Sequence, residues 1–273
     1  MRRDVRCFFL VVLVSVLALG LSMAHAKSLD QIISAGEIRV GINPNFPPLG
    51  MFNEKNEVAG FDVEFADAVA KKLGVKLQVV QLGSPDRIPF VTADKIDFVM
   101  GAMTRTSERA KVIDFTVPVH TEILGVLTTE KKPAKQFKDY KDFNRPDITL
   151  VEVRGTTPIA FIEKNLPKAK VLLLDNYPDV VRAIAQGRGD AILDVIDFVM
   201  KNTEAHKQVK WRVVETPVTV YYCCLGVSKG NETLKNWLNV AIFELMRDGV
   251  IDDLWSKHFG SPMLYKVKWS DWF

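Results

Sequence analysis

Short apolar runs alternate with amphipathic segments along most of this 273-residue chain. In Phe61–Leu73 apolar residues recur every four positions and Gly74 follows, which predicts a helix with a defined end. Residues 38–42 form a short apolar run typical of a buried strand. Repeated alternation of these two kinds of segment predicts an α/β fold with mostly parallel sheets.

Further elements follow the same pattern on both sides of a Lys- and Pro-containing stretch at 130–138. We expect strands at 77–80, 97–100, 148–153, 171–174, 191–193, 211–214 and 221–227. We expect helices at 179–186, 231–247 and 252–259, and one that Pro158 opens with Thr157 as its N-cap.

The first 26 residues have the pattern of a secretory signal peptide. Three arginines precede an apolar run at 8–21, and Ala24-His25-Ala26 matches a cleavage site. The run is too short to be a convincing membrane span, although an uncleaved anchor is the alternative. We therefore expect a secreted mature chain that begins at Lys27.

Charge and cysteine content exclude several classes of protein. Removing residues 1–26 takes away three arginines and one aspartate and lowers the formal charge from +3 to +1, without the basic stripe of a nucleic-acid binder. Only the adjacent Cys223 and Cys224 remain, so a disulfide framework is excluded and a metal site is not expected. We expect both cysteines to be buried apolar residues, and we expect no cofactor.

The segment GAMTRTSERAKVIDFT, residues 101–116, carries the most specific chemistry. Thr106 is a good N-cap, so it predicts a helix that starts near Arg109. A guanidinium binds a carboxylate through two parallel charge-assisted hydrogen bonds, and the N–H groups of a first helical turn are further donors for an anion. The segment predicts a carboxylate clamp, with a solvated surface arginine as the alternative.

This segment resembles the arginine segment of the family 3 periplasmic solute-binding proteins, the amino-acid receptors of ABC importers. Similar stretches run through nearly the whole mature chain, among them GEIRVGINPNFPPLGMFN, GFDVEFADAVAKKLGVKL and WLNVAIFELMRDGVIDDLWSKHFG. The resemblance implies the two-lobed (type II) periplasmic-binding-protein fold, with two crossing hinge strands and a ligand cleft between the lobes. Lobe 1 would comprise residues 27–129 and 218–273, and lobe 2 residues 130–217.

The resemblance also implies a set of ligand-binding residues. Arg109 would hold the α-carboxylate of the ligand, and Phe46 would pack over the ligand. The remaining residues would contribute polar groups from both lobes: Asn43, Arg87, Ala102 through its backbone, Thr104, Thr156 and Thr157.

One departure from the family pattern concerns the ligand's α-ammonium. The family usually has an aspartate after its lobe 2 strand, and alignment on Asp190 places Val195 there. Asp194, one residue earlier, is the first candidate for this role and Asp197 the second. The remaining alternative is a ligand without an α-amino group.

Two functions follow from these observations. The first is a monomeric receptor that captures an amino acid or related small carboxylate by hinge closure and delivers it to an ABC transporter permease. The second is a periplasmic cyclohexadienyl dehydratase on the same scaffold, which needs a carboxylic acid in the cleft to protonate a leaving hydroxyl. The enzyme motifs G-x-x-x-x-G-K, G-x-S-x-G and H-E-x-x-H do not occur, so the receptor is the leading interpretation.

Overall fold

A computed structural model describes residues 26–131 and 134–268, apart from the side chains of residues 197, 198, 215 and 216. Within these ranges the strands are β1 Glu37–Ile42, β2 Met51–Phe52, β3 Val58–Ala59, β4 Lys76–Gln81, β5 Phe98–Val99, β6 Ile113–Thr129, β7 Thr149–Val153, β8 Lys170–Leu174, β9 Ala191–Val195 and β10 Trp211–Ser228. The α-helices are α1 Leu29–Ala35, α2 Phe61–Leu73, α3 Arg87–Thr92, α4 Pro158–Asn165, α5 Tyr177–Ala185, α6 Ile196–Thr203, α7 Glu232–Arg247 and α8 Val250–Phe259.

Eight strands form one mixed sheet in the order β4-β1-β5-β10-β6-β9-β7-β8. On one side β1 pairs in parallel with β4 and β5, and on the other β7 pairs in parallel with β8 and β9. The two central strands, β6 and β10, are antiparallel and are 17 and 18 residues long. We call the β4-β1-β5 side lobe 1 and the β9-β7-β8 side lobe 2, and β6 and β10 join them as hinge strands.

This arrangement confirms the expected α/β fold with two lobes and two crossing strands. The boundaries between the lobes, at 129/130 and 217/218, stay a prediction.

Helix α2 shows how the sequence pattern sets the core. Phe61, Phe65 and Val69 are fully buried on one face of the helix, and Gly74 ends it with a φ of +75°. Lysines lie in the last turn and acids in the first, which suits the helix dipole. Replacing a buried phenylalanine such as Phe65 by alanine would cost about 3–5 kcal/mol.

Two elements differ from the sequence-based expectation. The strands expected at 211–214 and 221–227 form the single strand β10, because it pairs with β6 through several register shifts along its whole length. The helix expected near Arg109 is only the 3₁₀ turn Arg109–Lys111, because the hinge strand β6 starts at Ile113 and leaves no room for more turns.

Except for Ala26, the expected signal peptide lies outside the described residues. Among the helices in the described ranges, none combines the length and apolar character needed to cross a bilayer.

Candidate functional site

A narrow cleft with a free volume of only about 10 Å³ lies between the two lobes beside the hinge strands. Seven of the nine residues expected to bind ligand line it: Phe46, Arg87, Ala102, Thr104, Thr156, Thr157 and Asp194. Three further residues complete the lining: Glu122, Pro158 and Tyr177. This free volume is about the space of one water molecule, so a larger ligand can enter only if the lobes move apart.

Arg87 is the buried cation of the cleft. It lies at the start of α3 and is only 3% exposed. Its guanidinium donates to the carbonyl oxygens of Ser84, Gly101, Ala102 and Gly155 at 3.0, 2.5, 3.3 and 3.2 Å. Because all of these acceptors are neutral, the cation is held in place without being paired to a carboxylate. Burial lowers the pKa of Arg87, but a guanidinium stays charged in a protein.

Arg109 lies half-buried at the edge of this group. Its Nη1 donates to the carbonyl of Thr104 and its Nη2 to the carbonyl of Gly155, both at 2.9 Å. The Thr106 hydroxyl accepts the Arg109 N–H at 3.2 Å, as an N-cap would, although the turn is short. Burial and the neighbouring Arg87 charge lower the pKa of Arg109 to about 10. Arg109 is not among the residues that line the cleft, and its guanidinium instead connects lobe 1 to Gly155 of lobe 2.

Asn43 also lies outside the cleft lining. Its side chain is buried, where Nδ2 donates to Ser84 Oγ at 3.3 Å and Oδ1 accepts the N–H of Asn45 at 3.0 Å. In this structure Asn43 therefore orders the turn after β1.

The loop that carries Ala102 and Thr104 has a strained shape. Gly101 and Ala102 have φ values of +76° and +55°, and a left-handed alanine costs about 1–2 kcal/mol. The buried Asp62 holds the loop, since its Oδ2 accepts the Gly101 N–H at 2.8 Å. The loop turns the Ala102 carbonyl toward Arg87 and brings Thr104 into the cleft.

Strand β9 presents Asp194 to the cleft and Val195 to the opposite side. Val195 borders a second, larger cavity behind the hinge strands, so alternation along the strand separates the two side chains. Asp194 is 1% exposed, and its Oδ1 accepts the N–H of Val195 at 2.7 Å. The Tyr177 hydroxyl also interacts with this carboxyl, but Oδ2 has no hydrogen-bond partner of normal geometry among the described residues.

A second acid lies behind Asp194. Glu152 of β7 is fully buried, and its Oε1 accepts the N–H of Leu193 at 2.8 Å. Burial and the Asp194 charge raise the pKa of Glu152 well above its ordinary value. Burial also raises the pKa of Asp194, to about 6, against the opposing effects of the Val195 N–H, Tyr177 and Arg87. Because the Asp194 charge disfavours ionisation of Glu152, Glu152 keeps its proton more readily than Asp194.

Glu122 is the acid that the sequence analysis missed. It lies on the hinge strand β6, is 4% exposed, and accepts a hydrogen bond from Thr104 Oγ1 at 3.3 Å. Burial raises its pKa to about 8; hydrogen bonding to the Cys223 thiol opposes this and the Asp194 charge adds to it. Glu122 also borders the second cavity, but its bond to Thr104 points the carboxyl at the cleft. The titratable groups that interact with it are Arg87, Arg109, Tyr177, Asp194, Tyr221 and Cys223.

One wall of the cleft is an aromatic pair that bridges the lobes. The ring of Phe46, from lobe 1, stacks on Tyr177, from the start of α5 in lobe 2, with centroids 4.2 Å apart and planes 13° apart. Phe46 thus lines the cleft, and its packing over a ligand stays a prediction; Tyr177 is the stacking partner that sequence analysis did not identify.

The two threonines at the start of α4 differ in their bonding. Thr156 Oγ1 donates to the carbonyl of Val153 at 2.7 Å. Thr157 occupies the N-cap position but makes no capping bond, contrary to expectation, because its backbone is already helical. Its Oγ1 is buried and has no partner in the described part of the chain, so it is available to a group in the cleft.

A sequence profile of the bacterial extracellular solute-binding proteins, family 3, matches residues 38–261. The chain belongs to this family. The match covers both lobes and the hinge strands, and it agrees with the fold described above.

Three relatives illustrate the range of this solute-binding family. The chain is 27% identical over 240 residues to the ABC transporter glutamine-binding protein GlnH of Bacillus subtilis, covering 86% of this chain and 84% of that one. It is 27% identical over 179 residues to the cyclohexadienyl dehydratase of Pseudomonas aeruginosa, covering 66% of each. Among solved structures, the ancestral amino acid-binding protein AncCDT-1, a precursor of cyclohexadienyl dehydratase, superposes with a TM-score of 0.76 at 33% identity, covering 85% of this chain and 99% of that one.

Proposed function

We propose that this chain is the extracytoplasmic receptor of an ABC importer and that it binds an α-amino acid between its lobes. One observation carries the proposal: the cleft region holds buried or half-buried cations and a buried acid that are not paired with each other. Arg87 and Arg109 donate only to backbone carbonyls, while Asp194 keeps an oxygen without a partner. A zwitterion supplies the missing charge to both sides at once, and unpaired buried charges are costly.

The ligand's carboxylate would lie on the arginine side of the cleft. A guanidinium that already donates to neutral carbonyls gains from exchanging one of them for a carboxylate, because charge-assisted hydrogen bonds are about twice as strong. The Thr157 hydroxyl lies along the same cleft, has no partner among the described residues and would add a neutral donor. The ammonium would lie against Asp194 Oδ2.

Binding would be coupled to closure of the lobes. Gly155 of lobe 2 accepts hydrogen bonds from both arginines of lobe 1, and Phe46 stacks on Tyr177 across the cleft. A ligand that contacts groups from both lobes binds the closed form better than the open form, and this difference in affinity drives closure. The closed form would dock the membrane permease. We expect the mature receptor to be a periplasmic monomer that begins at Lys27.

A thermal-shift screen of the ligand-free protein tests this proposal. A ligand that binds only the folded state raises the melting temperature, by an amount equivalent to about 2.7 kcal/mol at a hundred times its Kd. We expect at least one α-amino acid to raise it and simple inorganic anions not to. No shift with any amino acid would contradict the proposal.

A second candidate function, a cyclohexadienyl dehydratase, is favoured by a separate observation. The relatives include such a dehydratase and the ancestral precursor of one, and the cleft contains a carboxyl with a pKa raised to about 8 at Glu122. A carboxylic acid that keeps its proton near neutral pH can act as a general acid toward a leaving hydroxyl. Turnover of prephenate or arogenate that is lost in Glu122→Gln would favour the enzyme. Binding of amino acids without turnover would favour the receptor.

A further inference from the structure

The cleft contains one acid more than a zwitterionic ligand requires, and that additional acid is Glu122. In the proposed receptor, an α-carboxylate takes the arginine side and an α-ammonium takes Asp194. Glu122 is then a second buried acid that lines the same cleft, and the ligand backbone offers it nothing.

The partners of Glu122 are weak, neutral donors. The Thr104 hydroxyl reaches it at 3.3 Å, a long O–H···O bond, and the Cys223 thiol is the other donor. A thiol is a poor donor and neither group carries charge. A buried carboxyl with such partners is stable only with its proton on or with a cation brought to it.

The charges of the surrounding groups lead to the same conclusion. Arg87 and Arg109 contribute two positive charges near the cleft, and Asp194 is the acid that ionises there most readily, because burial raises the pKa values of Glu122 and Glu152 further. A ligand with a neutral side chain leaves Glu122 buried with its proton on, and an acidic side chain brings a further negative charge to it. A cationic side chain lets Glu122 ionise against a partner.

A second, independent feature indicates that the acids face a ligand rather than one another. Asp194 is 99% buried and lines the cleft, yet its Oδ2 has no partner among the described residues. Glu122 and Asp194 lie on different elements, the hinge strand β6 and the lobe 2 strand β9. The two acids can therefore bind two separate cationic groups of one molecule.

We propose that Glu122 is the subsite for a positively charged side chain and that the ligand is a basic amino acid of the arginine or lysine class. The inference rests on the proposed receptor function. It assigns Asp194 to the α-ammonium and Glu122 to the side-chain cation, with the hinge strand supplying the specificity.

The test uses pairs of ligands that differ only in side-chain charge. Arginine is compared with citrulline, and lysine with norleucine, by calorimetric titration of the ligand-free protein. We expect the wild type to bind the charged member of at least one pair at least about tenfold more tightly. Glu122→Gln should reduce that preference to about threefold or less. Glu108 is an exposed acid paired with Lys111, so Glu108→Gln serves as the matched control and should leave the preference unchanged.

The outcomes separate this inference from the receptor proposal. If the wild type binds neutral amino acids and shows no preference for a charged side chain, the Glu122 assignment is overturned and the receptor proposal is not. This outcome needs only the wild type, so it holds even if the variant does not fold. A preference that survives in a folded Glu122→Gln also overturns the Glu122 assignment. Failure to bind any amino acid overturns the receptor proposal and this inference with it.

Discussion

Replacing Gly155 by alanine is expected to weaken ligand binding by interfering with the contact between the lobes. Gly155 has a φ of +78°, and a Cβ built there lies 3.0 Å from Pro85 Cα and 3.3 Å from the Ser84 carbonyl oxygen. These are backbone atoms of lobe 1, which cannot move aside as a flexible side chain can. The two lobes must separate slightly to admit the methyl group, and the bonds from Arg87 and Arg109 to the Gly155 carbonyl, at 3.2 and 2.9 Å, then lengthen.

The magnitude follows from two separate costs. A left-handed alanine costs about 1 kcal/mol of folding stability relative to glycine, whether or not ligand is bound. Weakening one or two charged hydrogen bonds between the lobes costs a further 1–3 kcal/mol, roughly, and only in the closed form. We therefore expect the ligand affinity to fall about 5- to 150-fold.

Gly187 provides the matched control. Its φ is +77°, and a Cβ built there meets nothing within 4 Å. Urea unfolding should show a similar loss of stability in Gly155→Ala and Gly187→Ala, while calorimetry with the amino acid that gives the largest thermal shift should show weaker binding only in Gly155→Ala. Equal affinities in the two variants would refute the argument that this approach of the lobes belongs to the ligand-bound state.

Three further predictions follow from the site and the N-terminus. Arg109→Ala should weaken amino-acid binding at least tens-fold, roughly 2–5 kcal/mol by calorimetry, and Arg109→Lys should restore little because an ammonium lacks the planar fork; near-native affinity in the alanine variant would remove Arg109 from the site. A basic amino acid should bind more tightly as the pH rises from about 7 toward the Glu122 pKa of about 8, because binding requires the ionised carboxylate; a flat profile over that interval in the wild type would contradict this. The periplasmic protein should have the mass of a chain that begins at Lys27, and a membrane-retained chain of full-length mass would contradict cleavage.

The regular elements were predictable because they depend on local patterns. The period of four and the terminal glycine place helix α2 at Phe61–Leu73, the bounds that the structure has. The prediction of a helix that starts near Arg109 was wrong, because the hinge strand begins only two residues after the 3₁₀ turn ends. This constraint comes from the tertiary structure and cannot be inferred from Thr106. The N-cap role of Thr157 failed for a similar reason, since its backbone is already helical.

The missed cleft residues left only weak signals in the sequence. Glu122 is a lone acid within the largely apolar second half of β6, and such a residue in a buried strand needs a functional or structural reason. Tyr177 follows Asn176, which caps helix α5, so the side chain could have been placed at a helix start that faces the cleft. Neither signal shows which lobe surface the residue meets, because that depends on how the two lobes pack.

The central claim is that the cleft binds an α-amino acid, and a measurement at the proposed ammonium site tests it most directly. The measurement is a calorimetric titration of wild type and Asp194→Asn with the best-bound amino acid and with its deaminated analogue. We expect the wild type to prefer the amino acid by about a hundredfold or more, and the variant to lose most of that preference, because Asp194 Oδ2 is the unpartnered buried oxygen that faces the cleft. The side chain of Asp197, the second candidate, lies outside the described residues, so Asp197→Asn is titrated in parallel. If the wild type binds the two ligands equally, or if neither substitution changes its preference, the cleft does not bind an ammonium at these residues and the account is contradicted.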